Sequence, residues 1–406
     1  MTSNLDKRET GRLLGVATAL ALAVTLALSG LASAQPPTAD DFHTSTPTLA
    51  AVFNGYVLGA LGTGNFGTPD EILAALSEED PFYDEPPLTG AEVPGQLLGH
   101  KKIDVMFAGY KPGNLDAYKI MYVTTGIDGV TPTISTGIAL IPRDGKPNSE
   151  RKLISYQEAN DSVGGYCHPS TQWTGGNPMD GSSWSALGPL ALMFDKGYAV
   201  VISDVGNNGD RDPHGVFAGK FAGHAQLDAI RAVLHLPEAG LNPNPEIALF
   251  GIAGGGVGSA FAAEQAPTYA PELNIVSTVL EGMVVKPKTF METTNGSVGA
   301  GFGFATLLGL ERWYPEMRLN DKLTPEGRAI ADDYRTQCQT PAYFSLPFAT
   351  LENLFVPRRG RDRGTRFPTC IHRQHPGTRD TDVEGADRLL CRGRLTDVAG
   401  SGRGCP

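Results

Sequence analysis

The residues "GIAGG", Gly251–Gly255, follow a β-rich run, "EIALF", and lead into a helical one, "VGSAFAAEQA". A strand that turns through glycines into a helix serves two chemistries. In the dinucleotide fingerprint, G-x-G-x-x-G, glycines let the backbone approach a pyrophosphate at the helix start. Read from Gly251, the second glycine falls on Ala253; read from Gly254, Gly256 fits but the last position is Ser259. No frame matches, and no cofactor is expected. The other chemistry is the nucleophile elbow, G-x-S-x-G. Its turn is too tight for large flanking residues. It lifts a serine above the sheet, beside helix-start N–H groups that stabilise an acyl-transfer oxyanion. "GIAGG" meets every steric demand of that elbow and places Ala253 where the hydroxyl belongs. On these five residues alone, a purely structural glycine turn fits as well.

Other polar residues do not replace the hydroxyl. Ser259 lies about one and a half helical turns beyond the apex. Ser297, in "NGSVG", has Asn295 where the first glycine belongs. His224, in "GHAQLDAI", sits on the helix before the elbow strand and reads as structural; Asp204 reads as a turn residue. His168 and His214 lie in loops without metal-ligand spacing, and no metal is expected.

The elements around the elbow imply its scaffold. "AYKIMYVTT" (117–125) and "STGIALIPR" (135–143) read as strands joined by a turn. "KLISYQE" (152–158) and "YAVVISDV" (198–205) follow, the second after the helical "WSALGPLALMFDKG". In "FAGHAQLDAIRAVLHL", Leu227, Ile230 and Leu234 recur at helical spacing. After the elbow, "NIVSTVLEG" (274–282) reads as a buried strand. Strands alternating with helices imply an α/β fold with a mostly parallel sheet flanked by helices. From 286 to 350 the pattern turns helical, as in an inserted lid or cap, so the core is assigned to 35–285.

The N-terminus carries Lys7, Arg8 and Arg12, then 16 residues from Leu13 to Leu28 that are mostly apolar, then "ASA". This describes a secretory signal peptide, 1–34, cleaved after Ala34. No later segment is apolar enough to span a bilayer. A secreted location follows, and export permits disulfides among Cys167, Cys338, Cys370, Cys391 and Cys405. The formal net charge of −11 argues against nucleic acid as a partner.

The C-terminal tail, 351–406, breaks the pattern, most sharply from Pro357. Residues 357–406 hold eleven arginines, no lysine and one aromatic, Phe367, and carry a net +5 against −16 before them. No strand or helix period survives. Two readings fit: a disordered basic tail, or text translated out of frame, which GC-rich codons render as Arg, Gly and Pro.

Together, "ISYQEANDSVGGYCHPS", "VVISDVGNNG", "GHAQLDAIRAV", "FGIAGGGVGSAFAAEQAPTYAPELNIV" and "LERWYPEM" resemble the secretory lipase family of exported triacylglycerol lipases. The resemblance covers roughly 41–356, and its most specific piece is "AAEQAPTYAPELN", with "LDAIRA" ahead of it. It implies an α/β-hydrolase core with a helical lid, acting on a lipid or small ester by serine-based acyl transfer. It implies the first oxyanion donor near Gln157–Asp161, with Glu158 the candidate, and the second from the Gly254 N–H. It implies a Cys167–Cys338 disulfide and lid residues Phe302, Phe304, Leu307, Leu308, Leu310 and Trp313 over an acyl pocket, with the lid meeting the lipid interface. The chain departs from the family twice. Ile252 and Ala253 replace the elbow's Tyr-Ser. The triad acid and histidine, due after the lid, would fall in the tail, where His372, His375, Asp380 and Asp382 have no strand context; the terminal strands are expected to be missing. The expected product is therefore an impaired lipase. The rival reading is a secreted, non-catalytic lipid- or ester-binding protein, and a third is a product that does not fold.

Overall fold

The computed structural model describes residues 64–77, 80–107, 109–159, 163–176, 181–206, 217–339 and 344–357. The chain divides into two compact units, Met1–Ala60 and Leu61–Pro406. The first, with the expected signal peptide, lies outside the described residues, as does the tail beyond Pro357. No helix among the described residues is long and apolar enough to cross a membrane.

A seven-stranded sheet forms the centre. Its strands are β2 (Leu97–Ile103), β4 (Leu115–Thr125), β5 (Pro132–Pro142), β6 (Leu153–Gln157), β7 (Ala199–Ser203), β8 (Ile247–Ile252) and β9 (Ile275–Glu281). Their order is β2-β4-β5-β7-β6-β8-β9. The pairs from β2 to β7 are antiparallel, and β7-β6-β8-β9 are parallel. A small ribbon, β1 (Gly64–Phe66) with β3 (Tyr110–Pro112), stands apart from it. The parallel half carries the elbow. Strands β6 and β7 are buried at every residue, as expected for strands covered on both faces. The sequence reading missed β2, because "LLGHKKI" lacks apolar alternation and sits at the sheet edge.

The helices are α1 (Pro69–Ser77), α2 (Pro169–Gln172), α3 (Gly181–Asp195), α4 (Gly219–Leu234), α5 (Gly254–Tyr269), α6 (Pro287–Thr294), α7 (Ala300–Trp313), α8 (Leu319–Lys322) and α9 (Pro325–Tyr334). Leu227, Ile230 and Val233 turn the apolar face of α4 onto the sheet, in one cluster with Tyr122, Val201, Leu249 and Ala262. Helices α6–α9 build the cap around Phe304, Leu307, Leu308 and Tyr334. Leu351, Leu354 and Phe355, on the tail side of the expected boundary, join this cap core, and Phe355 bridges Leu323.

The two most specific motifs meet in a lock between α4 and α5. Buried Asp228 of "LDAIRA" accepts hydrogen bonds from Thr124 Oγ1 (2.7 Å), Tyr269 OH (2.7 Å) and Arg231 Nη1 (2.8 Å). Arg231 also bonds Glu272 (2.6 Å) and the Tyr269 carbonyl (2.7 Å), both from "AAEQAPTYAPELN". His224 stacks on Tyr269 at 4.3 Å and its Nδ1 meets the Gly126 carbonyl at 2.9 Å, so it is structural, as read. Pairing and hydrogen bonding make a buried charge tolerable. These motifs fix the elbow helix to the sheet and carry no chemistry themselves.

One expectation fails. The strand read as buried, β9, is exposed along nearly its whole length, and among the described residues nothing pairs with its outer edge. Its apolar, β-branched composition suits an interior strand, but this sheet ends there.

Cys167 and Cys338 form a disulfide, which ties the loop after β6 to the cap across 171 residues of sequence. Closing so long a loop restricts the unfolded chain. Cys338→Ser should lower stability by roughly 2–5 kcal/mol, seen as a fall of about 5–15 °C in Tm. An unchanged Tm would show that the link contributes nothing.

Candidate active site

The elbow is formed as its spacing suggests. Strand β8 ends at Ile252, α5 begins at Gly254, and Ala253 between them has φ 49° and ψ −113°. Positive φ is uncommon for a residue with a side chain. The turn is held by the Ala253 N–H, which donates to the Glu281 carbonyl at 2.8 Å, and by the Val257 N–H, which donates to the Ala253 carbonyl at 3.3 Å. The methyl group of Ala253 stands half-buried at the apex.

The glycines are sterically required. A Cβ on Gly251 would collide with the Gly255 carbonyl and lie 2.5 Å from Ser259 Oγ. One on Gly255 would collide with the carbonyl oxygens of Gln157 and Glu158, and one on Gly256 would come within 2.8 Å of Met283 Cβ. Helix α5 therefore starts directly against the end of β6. Ser259 is buried beneath the turn and cannot reach the apex.

Glu158 is buried, and its carboxylate accepts from Trp173 Nε1 at 2.7 Å and Ser183 Oγ at 3.1 Å. These bonds fix the backbone of Gln157–Ala159 against the start of α5. The structure thus brings Glu158 and Gly254, the two oxyanion candidates, to neighbouring places. The first α5 amides, Gly254's among them, have no acceptor one turn back in the helix and suit a developing negative charge.

Two recesses adjoin the elbow and share Phe217. The first, a small one, is lined by Gln157, Val205, Gly219, Ala222, Gly254, Gly255 and Gly258. The second, also small, is lined by Val257, Val284, Pro287, Phe290, Thr306 and Leu310. Of the six residues expected over an acyl pocket, Leu310 lines it; Phe304, Leu307 and Leu308 are buried in a cluster shared with Val205, Phe221 and Val257. Gln157 donates Nε2 to the Ser203 carbonyl at 3.3 Å, which turns its Oε1 toward Gly258. That oxygen has no hydrogen-bond partner among the described residues and suits a hydroxyl.

Among the described residues five non-glycines have positive φ, and three belong here: Val205 (54°), Phe217 (57°) and Ala253 (49°). Backbone strain of this kind gathers at functional sites, at about 1–3 kcal/mol each.

Asp204 was read as a turn residue; it is instead a buried anchor at the end of β7. Its carboxylate accepts from Ser170 N (2.8 Å), Ser170 Oγ (2.5 Å) and Thr136 Oγ1 (2.6 Å), with His168 Nδ1 4.0 Å away. Sequence offered no signal for this, because the partners come from two segments far from Asp204 in the chain. Burial raises its pKa to about 6 against the hydrogen bonds that lower it. The proton is thus held more tightly in the folded chain than in the unfolded one, where the value is about 4. The stability this group carries is complete below about pH 4 and is lost as pH rises through about 6, a span of roughly 3 kcal/mol. Asp204→Asn should flatten the Tm–pH curve across that window; an unaltered slope would assign it to other groups.

Triad partners are not found among the described histidines. His100 meets Glu238, His224 the Gly126 carbonyl, His235 the Arg231 carbonyl, and His168 lies buried beside Asp204. His43, His214, His372 and His375 lie outside the described residues, as do Asp380 and Asp382. Ser297 lies in the loop between α6 and α7, away from any strand–helix turn.

Comparison with known proteins agrees with this geometry. The family model for secretory lipase matches residues 188–355. A secreted triacylglycerol lipase of Malassezia globosa is 30% identical over 271 residues, 66% of this chain and 56% of that protein. A probable inactive lipase of Mycobacterium tuberculosis is 30% identical over 288 residues, 68% of this chain and 63% of that protein. The chain thus spans less than two thirds of either relative. Candida antarctica lipase A in its closed state superposes with a TM-score of 0.61 at 27% identity, covering 68% of this chain and 64% of that one. With the elbow, the parallel half-sheet and the helices after β9 in place, residues 188–355 match the secretory lipase family and the chain has the α/β-hydrolase fold.

Proposed function

We propose that this chain is a secreted carboxylic-ester hydrolase by descent, of the triacylglycerol lipase type, whose hydrolysis is disabled at the elbow. The observation that carries this is Ala253, which holds the nucleophile's backbone geometry without a hydroxyl. In the active form of such a site, the serine attacks the ester carbonyl, a histidine takes its proton, and an acid orients the histidine. Gly254 and Glu158 would donate the two oxyanion N–H groups, and the recess under the cap would take the acyl chain. Here the first step lacks its nucleophile. The test is p-nitrophenyl ester hydrolysis by residues 35–406: turnover at the rate of an ordinary lipase would refute the proposal.

A second reading is a lipid- or ester-binding protein that no longer turns its ligand over. The recess lined by Phe217, Val257, Phe290 and Leu310 favours it, because the apolar cavity does not depend on the missing oxygen. Saturable binding of a fluorescent long-chain ester without product release would support it; displacement of that probe by Val257→Trp would locate the site.

A further inference from the structure

We propose, on the reading that this chain binds a ligand without turning it over, that the first recess holds the hydroxyl of an alcohol and that Gln157 selects this group over an ester. Gln157 ends β6 and is 1% exposed. Its amide is oriented by one bond, from Nε2 to the Ser203 carbonyl at 3.3 Å. That bond commits the donor end to β7 and leaves Oε1 turned toward Gly258. Oε1 has no hydrogen-bond partner among the described residues. The side chains that line the recess with it, Val205, Phe217 and Ala222, carry no polar atom, and the other lining residues are glycines. No lining side chain can therefore donate to Gln157. A buried acceptor left without a donor is costly, and an arriving O–H group relieves that cost.

The start of α5 forms another part of the lining, through Gly254 and Gly255. Ala253, at the N-cap, makes no side-chain cap, so the first amides of the helix keep their need for an acceptor. The recess thus joins a buried acceptor to backbone donors. An alcohol answers both: its O–H donates to Gln157 Oε1 while its lone pairs accept from an amide. The oxygens of an ester only accept, and beside an ester Gln157 stays unpaired. A carboxylate likewise brings no proton. The carboxylates adjacent in sequence are already engaged, Glu158 by Trp173 and Ser183, and Asp204 by Ser170 and Thr136. Phe217 also lines the second recess, where Val257, Val284, Phe290 and Leu310 offer an apolar place for an alkyl chain. Both recesses are small, so the probe is a short alcohol.

The experiment titrates residues 35–406 by calorimetry with 1-hexanol, 1-fluorohexane, hexyl acetate and hexanoate at neutral pH. 1-Fluorohexane matches the alcohol in size and has no proton to donate. 1-Hexanol should bind about ten- to a hundredfold more tightly than either 1-fluorohexane or hexyl acetate, because both leave Gln157 unpaired. In Gln157→Leu the affinities for 1-hexanol and 1-fluorohexane should converge to within about twofold, since the orphaned acceptor is gone. That ratio is read on one folded protein, so a general loss of stability does not move it. Should Gln157→Leu fail to fold, the four ligands on the parent chain still decide. Equal affinity for 1-hexanol, 1-fluorohexane and hexyl acetate would overturn the proposal and leave the ligand-binding reading standing. A preference for 1-hexanol that survives Gln157→Leu would overturn the role of Gln157. Tighter binding of hexanoate than of 1-hexanol would overturn it in favour of the helix start as an anion site. Binding of none of the four would overturn both the proposal and the reading beneath it, the recess then holding no more than water.

Discussion

Purified residues 35–406 are expected to hydrolyse p-nitrophenyl butyrate at about one-millionth of the kcat of a working serine hydrolase. The estimate comes from what a serine nucleophile supplies. Removing it from a serine protease costs about 10⁶ in kcat and leaves roughly 10³–10⁴ over the uncatalysed rate, from the oxyanion site and binding. The features proposed to supply that remainder are an elbow at φ 49°, a helix start at Gly254, and Glu158 fixed by Trp173 and Ser183. Slow turnover well above water is therefore compatible with the scaffold, whereas lipase-like turnover is not. Ala253→Ser alone should stay within about tenfold of the parent, because the triad acts as a unit and its members do not contribute additively. Each of the four described histidines is already engaged or buried elsewhere: His100, His168, His224 and His235. Full recovery from that one substitution would show that a histidine from the undescribed segments reaches the apex.

Gly255→Ala is expected to destabilise the fold by about 3 kcal/mol or more, a value reached only by severe packing or backbone conflicts. The added methyl would run into two backbone carbonyl oxygens, those of Gln157 and Glu158. Backbone at the end of a fully buried strand cannot rotate aside as a side-chain tip can. Either β6 moves or α5 does, and both line the first recess. Urea unfolding measures the loss. Gly188→Ala, on α3, is the matched control: nothing lies within 4 Å of its new Cβ, so it should be neutral or slightly stabilising. Equal midpoints for the two variants would mean that the elbow relaxes freely.

The elbow, the parallel strands and helix α4 were legible in the sequence because each is local. "LISYQ" and "AVVIS" are short apolar runs, and Leu227, Ile230 and Leu234 fall at helical spacing. The Cys167–Cys338 link was legible through family resemblance, and the structure joins the two residues. What stayed hidden depends on neighbours far away in the chain. Asp204 looks like any strand-end aspartate until Thr136 and Ser170 are seen around it. The strand β9 has interior composition, and only the sheet order shows that nothing described lies beyond it. Phe304, Leu307 and Leu308 have the same chemical character as Leu310, yet only Leu310 lines the recess; spacing within α7 does not say which way the cap is turned.

The positive φ values at Val205, Phe217 and Ala253 have a consequence for the folding landscape. Each is a place where the local preference of the residue opposes the global fold, and such frustration is otherwise removed from natural sequences. Glycine would resolve the conflict at any of the three without changing the path of the backbone. Val205 and Phe217 line the first recess, and Ala253 directly precedes Gly254, which lines it too. The strain is therefore concentrated in the backbone around the elbow, a feature that the identity of residue 253 alone would conceal.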